Sequence, residues 1–348
     1  MRVAAVTEEN TSPRLLTDEQ IADIVSTSVL PPLADVTPHE TPRMIILGGP
    51  QGSRKTTLRS VVAEQLGLHD NLVLFDGDDH NAFHPHYARL AREHGAPEAA
   101  RRTGADIQII RAAILDEVRD RRLSIVFVGP YTDQEYTLGR LAEFRADGYR
   151  TDVAYTALHP ALSQLATMDR HLTALTDGPG YSFLVSPELL ERVITNVPAV
   201  MTRIEAEQAA DALHVVDAGG IAFSKQLGDE GVWVPNRPAA DVVEEIRLRP
   251  WDQSVTADFL RRRDRAETAP AGEDPQLWAA RLARVDELAA PMVTRQPASG
   301  RSTMAQAARK RSTTAPARGA KKAAAPPPAQ RPPLHRAPGQ ESSSGRTR

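Results

Sequence analysis

The run Met44-Ile45-Ile46-Leu47-Gly48-Gly49-Pro50-Gln51-Gly52-Ser53-Arg54-Lys55-Thr56-Thr57-Leu58 constrains this chain more than any other. A short apolar segment of strand length runs into a glycine-rich turn, and Leu58, Val61, Val62 and Leu66 then recur at helical spacing. From Gly49 the residues follow the phosphate-loop pattern G-x-x-x-x-G-K-[ST], with Arg54 in place of the second glycine. Glycines let the backbone turn its N–H groups toward phosphate oxygens, and the helix opening near Lys55 adds its positive N-terminal dipole. The pattern assigns Gly49, Pro50, Gln51, Gly52, Ser53, Arg54, Lys55, Thr56 and Thr57 to nucleotide binding. Lys55 would reach the β/γ-phosphates and the Thr56 hydroxyl would bind Mg²⁺. The bland alternative is a glycine-rich turn with an incidental lysine, and the strand before and helix after argue against it. The Arg54 side chain must point away from the phosphates or lie across the nucleotide.

The rest of the chain supplies a fold for that loop. A helix is expected over residues 11–29, with Thr17, Glu19 and Gln20 at its start, before Pro31, Pro32 and Pro38 break it. Short apolar runs at 71–75, 124–129 and 151–157 read as buried strands. Helical patterns separate them at 105–121, 133–147 and 160–175. Residues 187–210 are helical, and 213–217, 221–223 and 232–234 read as late strands or a hairpin at the sheet edge. Residues 238–247, 256–265 and 274–289 are further helical candidates. Strands alternating with helices predict an α/β fold, a parallel sheet covered by helices on both faces. The predicted division is a helical N-terminal extension (1–40), a phosphate-loop domain (41–250), a helical C-terminal extension (251–290) and a tail (291–348).

Charge separates the tail from the body. Residues 291–348 carry 12 Lys or Arg against the single Glu341, a net +11, which leaves −14 for residues 1–290 out of a total of −3. The tail is rich in Ala, Pro, Ser and Arg with almost no large apolar residue, so it is expected to be disordered. Arg309-Lys310-Arg311 and Lys321-Lys322 could touch nucleic-acid phosphates weakly and without sequence preference, but no aromatic interleaves to stack bases. The absence of cysteine excludes disulfides and thiolate chemistry. Met1-Arg-Val-Ala-Ala-Val lacks the apolar region of a secretory signal, and no apolar run approaches the roughly 18–20 residues of a membrane span. A soluble, cytoplasmic protein without membrane contact is the expectation.

A second chemical cluster follows the second strand: Asp76-Gly77-Asp78-Asp79-His80, then His84-Pro85-His86. Carboxylates at the C-terminal end of a strand beside the phosphate-loop strand would lie in the crevice where open α/β sheets bind ligands. One of them could accept a proton from a substrate hydroxyl; the alternative is a polar turn in which Asp78 or Asp79 caps the next helix. The histidines lack the carboxylate pairing of a metal site, and Trp233, Trp251 and Trp278 read as packing residues.

Gly48-Gly-Pro-Gln-Gly-Ser-Arg-Lys-Thr followed by Asp76-Gly-Asp78 and His84-Pro85 resembles the zeta-toxin family of P-loop kinases over roughly residues 40–235. The resemblance implies ATP- or GTP-dependent, Mg²⁺-assisted phosphorylation of a hydroxyl of UDP-N-acetylglucosamine, and a small antitoxin as partner. It implies Lys55 as the loop lysine, Thr56 as the Mg²⁺ ligand, Asp78 as the base and Arg170 as a γ-phosphate arginine. By itself Arg170 reads as a solvated helix residue.

The chain also departs from that family. Val128-Gly129 stands where the family has Glu-Gly, Ala112 falls where an upstream helix glutamate is expected, and Tyr181-Ser-Phe-Leu lacks a second phosphate-binding arginine. The nucleotide side is mostly kept and the acceptor side largely lost. Arg54 and the missing second arginine keep open a nucleotide-binding module that has lost catalysis, and the basic tail keeps open a nucleic-acid-associated protein.

Overall fold

Apolar runs four to seven residues long, bounded by turns, become the parallel strands of a seven-stranded sheet. The structure is a computed structural model, and it describes residues 13–293 apart from Asp70, Phe183 and the side chain of Asp78. Residues 294–348, all but the first three of the basic tail, therefore lie outside the described residues. The strands are β1 (Arg43–Gly48), β2 (Val73–Asp76), β3 (Ile125–Val128), β4 (Arg150–Thr156), β5 (Ala212–Asp217), β6 (Gly220–Leu227) and β7 (Trp233–Val234). Their order is β2-β3-β1-β4-β5-β6-β7, parallel through β5, with β6 and β7 antiparallel at one edge.

Around the sheet lie α1 (Asp18–Ile24), α2 (Lys55–Gln65), α3 (Gly77–His80), α4 (Tyr87–His94), α5 (Ala96–Asp120) and α6 (Gln134–Ala146). They are followed by α7 (Pro160–Thr176), α8 (Pro187–Glu207), α9 (Ala239–Arg247), α10 (Gln253–Arg265) and α11 (Pro275–Ala289). The two-residue alternation of β1 divides its side chains between the faces. Ile45 and Leu47 pack with Leu58 and Val62 of α2, whereas Met44 and Ile46 join Ile107, Ile110 and Ile114 of α5 and Val197 and Val200 of α8. Both faces are thus covered, as expected. No described helix is long and apolar enough to cross a membrane.

Local chemistry sets the helix starts. Thr17 and Gln20 form a reciprocal capping box at α1, and the Asp133 carboxylate caps α6 by accepting from Tyr136 N at 2.8 Å. His159, Ser186 and Asp274 cap α7, α8 and α11, each of which opens on a proline whose missing N–H costs nothing there. Trp251 and Phe259 join Trp278, Leu282 and Val285 of α11 and Leu165, Met168 and Leu172 of α7 in a separate apolar cluster.

Two expectations need correction. The first places β2 beside β1, but β3 lies between them: Val128 pairs with Asp76 on one side and Leu47 on the other. The carboxylate turn after β2 therefore stands two strands, roughly 10 Å, from the end of β1. The second starts the long helix at 105; α5 begins at Ala96, where Gly95 at φ 85° ends α4 and Pro97 and Glu98 occupy the first turn.

Candidate active site

The loop after β1 is shaped by backbone conformations and close approaches that require glycine. Gly49 lies at φ 131°, and a Cβ there would meet Thr156 Oγ1 at 2.1 Å. Gly52 lies at φ 77°, and a Cβ there would stand 2.6 Å from the Ser163 carbonyl oxygen. Hydrogen bonds fix the loop to its neighbours. Gly49 N donates to Pro130 O at 3.1 Å, and the Ser163 hydroxyl donates to Gln51 O at 2.6 Å. The loop is thus held between the end of β3 and the first turns of α7.

Arg54 sits in a backbone conformation that favours glycine. Its φ of 61° and ψ of 26° lie in the left-handed region, where a side chain costs about 1–2 kcal/mol. The residue is exposed and makes no capping bond. Lys55 Nζ donates to Gly49 O at 2.9 Å and Pro50 O at 2.8 Å, which folds its ammonium back over the loop.

A cleft of about 410 Å³ opens over this loop. Gln51 to Thr56 form one wall, and Asp76, Gly77, Val128, Gly129 and Pro130, from the ends of β2 and β3, form another. Asp169 and Arg170 of α7 and Arg262 of α10 complete it. Of the residues singled out by sequence, Lys55, Thr56 and Arg170 thus meet in one cavity; Gly49, Pro50 and Thr57 do not line it but belong to the same loop.

Whether Mg²⁺ and phosphate suit this donor set can be read from the loop. Ser53 Oγ and Gln51 Oε1 are buried without a hydrogen-bond partner among the described residues, and the α2 N-terminus, with exposed Thr56, faces the same space. Unpaired buried polar atoms are costly and rarely idle. A hydroxyl, the Asp76 carboxylate on the opposite wall of the cleft, backbone N–H groups and an ammonium fit a metal–polyphosphate group.

The turn carrying Asp78 is pinned from two sides. Arg59 of α2 reaches Asp79 at 3.2 Å and Asp76 at 4.0 Å, while Arg111 of α5 donates to Gly77 O at 2.6 Å. His80 packs edge-on against Phe75, and its burial, with the Arg111 charge, pushes its pKa down to about 4, so it is neutral at pH 7. The Asp78 side chain itself lies outside the described residues.

His84 serves the framework. Its ring donates from Nε2 to Asp106 at 3.1 Å while Nδ1 accepts from His86 N at 3.2 Å, which fixes the neutral tautomer. Burial lowers its pKa against the opposing pull of Asp106. Asp106 is fully buried and also accepts from Leu15 N at 2.9 Å and Arg14 Nε at 3.3 Å, tying the N-terminal segment to α5.

Of the two positions where the resemblance expects acids, Val128 lines the cleft, whereas Ala112 is exposed on α5 and does not line it. Asp169 and Arg262 were missed by sequence reasoning. Arg262 sits in the run Arg261-Arg262-Arg263, and nothing in that run distinguishes the arginine that faces the cleft.

Comparison with known proteins agrees with this geometry. The family model described as Zeta toxin matches residues 31–226. Toxin zeta of Streptococcus pyogenes is 24% identical over 195 residues, covering 54% of this chain and 64% of that protein. Toxin PezT of Streptococcus pneumoniae is 22% identical over 214 residues, covering 61% of this chain and 80% of that protein. The match to the Streptococcus pyogenes toxin thus spans less than two thirds of its length. A solved structure from the PezAT chromosomal toxin–antitoxin system of Streptococcus pneumoniae superposes with a TM-score of 0.58 at 18% identity, over 78% of this chain and 98% of that one. That likeness shows the same fold. With the family model covering more than half of its 348 residues, and with the phosphate loop and parallel sheet in place, this chain belongs to the zeta-toxin family.

Proposed function

We propose that this chain is a kinase that transfers the terminal phosphoryl group of Mg·ATP or Mg·GTP to a hydroxyl of a small molecule, and that it acts as a toxin. The observation that carries the reading is the single cleft shared by Lys55, Thr56, Arg170 and the Asp76–Gly77 turn. Bound Mg²⁺ would neutralise phosphate charge, and Thr56, with Asp76 across the cleft, would hold the ion or its water shell.

The chain's own residues do the rest. Lys55, already folded over the loop, turns its ammonium to the phosphates. Arg170 stabilises charge spreading over the transferred group. Asp78 takes the proton of the attacking hydroxyl; its backbone belongs to the turn held by Arg59 and Arg111. Such transfer depends on placing the hydroxyl in line with the phosphoryl group, so a pinned turn favours rate.

UDP-N-acetylglucosamine is the first acceptor to test, on family membership. Val128 and Ala112 offer no carboxylate to its hydroxyls, which favours a related acceptor with fewer donors to satisfy. A small antitoxin protein is the proposed partner, by analogy with the PezAT system. Of the two grounds for an impaired binding module, the Arg54 backbone sits in the left-handed region open to glycine, which favours the kinase; the missing second arginine after Gly180 still speaks for the module.

The test is incubation of the full chain with Mg·ATP and a panel of nucleotide sugars and other hydroxylated metabolites, followed by mass spectrometry. A product heavier by one phosphate supports the kinase. Nucleotide binding with no phosphorylated product across the panel returns the chain to the binding-module class.

A further inference from the structure

The cleft wall farthest along the chain comes from α10, which begins at Gln253, beyond the family-matched residues 31–226. We propose that Arg262 of α10 is a phosphate-binding residue of the nucleotide site, so that the C-terminal helices form part of the active site. The proposal deepens the kinase reading and rests on it. The ligand class is the polyphosphate of a nucleoside triphosphate.

Three observations carry it. First, Arg262 lines the same cleft as Lys55, Thr56 and Arg170. Second, α10 is held firmly at that position. Trp251 and Phe259 bury against Leu165, Met168 and Leu172 of α7. One turn beyond Arg262, Arg265 donates to Asp169 O at 3.1 Å and pairs with Asp169 Oδ1 at 2.9 Å, beside Arg170 in sequence. A clamp on Asp169 sets the distance between the two helices where both present an arginine to the cleft.

Third, the state of Arg262 suits an incoming anion. Among the described residues its one ion-pair partner is Asp258, one turn earlier on the same helix, reached through Nε at 2.9 Å. A guanidinium has five N–H donors in a planar fork, so one carboxylate leaves donors for phosphate oxygens. An exposed ion pair within a helix is worth under about 1 kcal/mol, so Asp258 pre-orients the side chain without locking it away. Arg261, its neighbour, is far more exposed, with 73% of its side-chain surface accessible, and does not line the cleft.

The experiment uses the full chain and titrates Mg·ATP by calorimetry into wild type, Arg262→Gln, Arg262→Lys and Arg261→Gln, with a thermal melt of each. Arg262→Gln is expected to weaken binding about 10-fold or more, as for loss of a charge-assisted contact. Arg262→Lys should recover a large part of that loss, Arg261→Gln should bind as wild type, and all four should melt together. A merely structural role for Arg262 would lower the melting temperature and would not distinguish Lys from Gln by binding. Wild-type affinity in Arg262→Gln, or a fall in binding matched by a fall in melting temperature, overturns the proposal and leaves the kinase reading intact. If wild type binds no Mg·ATP, the kinase reading falls and this proposal falls with it.

Discussion

The Ser163 hydroxyl donates to the Gln51 carbonyl at 2.6 Å, joining residues 112 positions apart, and the Ser163 carbonyl lies where a Cβ on Gly52 would come within 2.6 Å. One residue of α7 thus both anchors the phosphate loop and limits what the loop can carry. The same helix presents Arg170 to the cleft, so loop and cation are placed by one rigid element.

Gly52→Ala and Gly67→Ala separate strain from collision. Both glycines have φ near 78°, at 77° and 78°, but nothing lies within 4 Å of a Cβ at Gly67. Gly67→Ala should cost about 1 kcal/mol from backbone strain alone. Gly52→Ala should cost roughly 1–3 kcal/mol more and abolish tight Mg·ATP binding, because the loop must move off α7. Denaturant melts and calorimetry of both variants check this; equal costs in the two would remove the fit between loop and α7.

Arg54→Gly is expected to be neutral or stabilising. Relief of about 1–2 kcal/mol of left-handed strain exceeds the roughly 0.5–1 kcal/mol of added unfolded-state entropy. Denaturation midpoints compared at equal slope measure it, with nucleotide affinity preserved. A destabilised Arg54→Gly protein would show that the arginine makes contacts that outweigh its backbone strain.

Acid should destabilise the fold in a defined window. Burial, with the Arg247 charge, pushes His159 down to about 4, and burial with Arg111 does the same to His80. An unfolded histidine titrates near pH 6.5, so between roughly pH 6.5 and 4 the unfolded chain binds the extra protons. The contribution of these neutral histidines is therefore complete above about pH 6.5 and is lost as pH falls toward 4. His159 Nδ1 also caps α7 by accepting from Ala161 N at 3.2 Å. His159→Asn keeps a cap acceptor and removes the titration, so its stability should fall less steeply from pH 7 to pH 5 than that of wild type. Parallel slopes would place the acid sensitivity elsewhere.

Much of this architecture is legible in the sequence because local chemistry and burial agree there. The β1–loop–α2 unit follows from Met44 to Val62, where strand pattern, glycines and helical spacing all point one way. The position of β2 is not legible, since a parallel strand's neighbours depend on crossovers rather than on its own residues. The start of α5 is hidden because its first turns bury Ala96, Ala99 and Thr103, small residues that give no apolar stripe, with Ala99 packed against Leu90 and Ala91 of α4. Lys55, Thr56 and Arg170 could be named in advance because a motif or a resemblance marks them. Arg262 could not, because only the packing of Phe259 and Trp251 decides which arginine of α10 faces the cleft.

Lys55→Ala should weaken Mg·ATP binding by roughly 1.5–3 kcal/mol, the value of a charge-assisted contact. Calorimetry against wild type measures it, and equal affinities would contradict the phosphate-loop assignment.

The central claim is phosphoryl transfer with Asp78 as the base, and the most direct measurement is the transfer rate of Asp78→Asn beside wild type. Asparagine keeps the shape of the side chain and removes its basicity. With an acceptor that wild type phosphorylates, Asp78→Asn should bind Mg·ATP as wild type does and form product on the order of 10²-fold more slowly. Product formed by the variant at the wild-type rate would contradict the account.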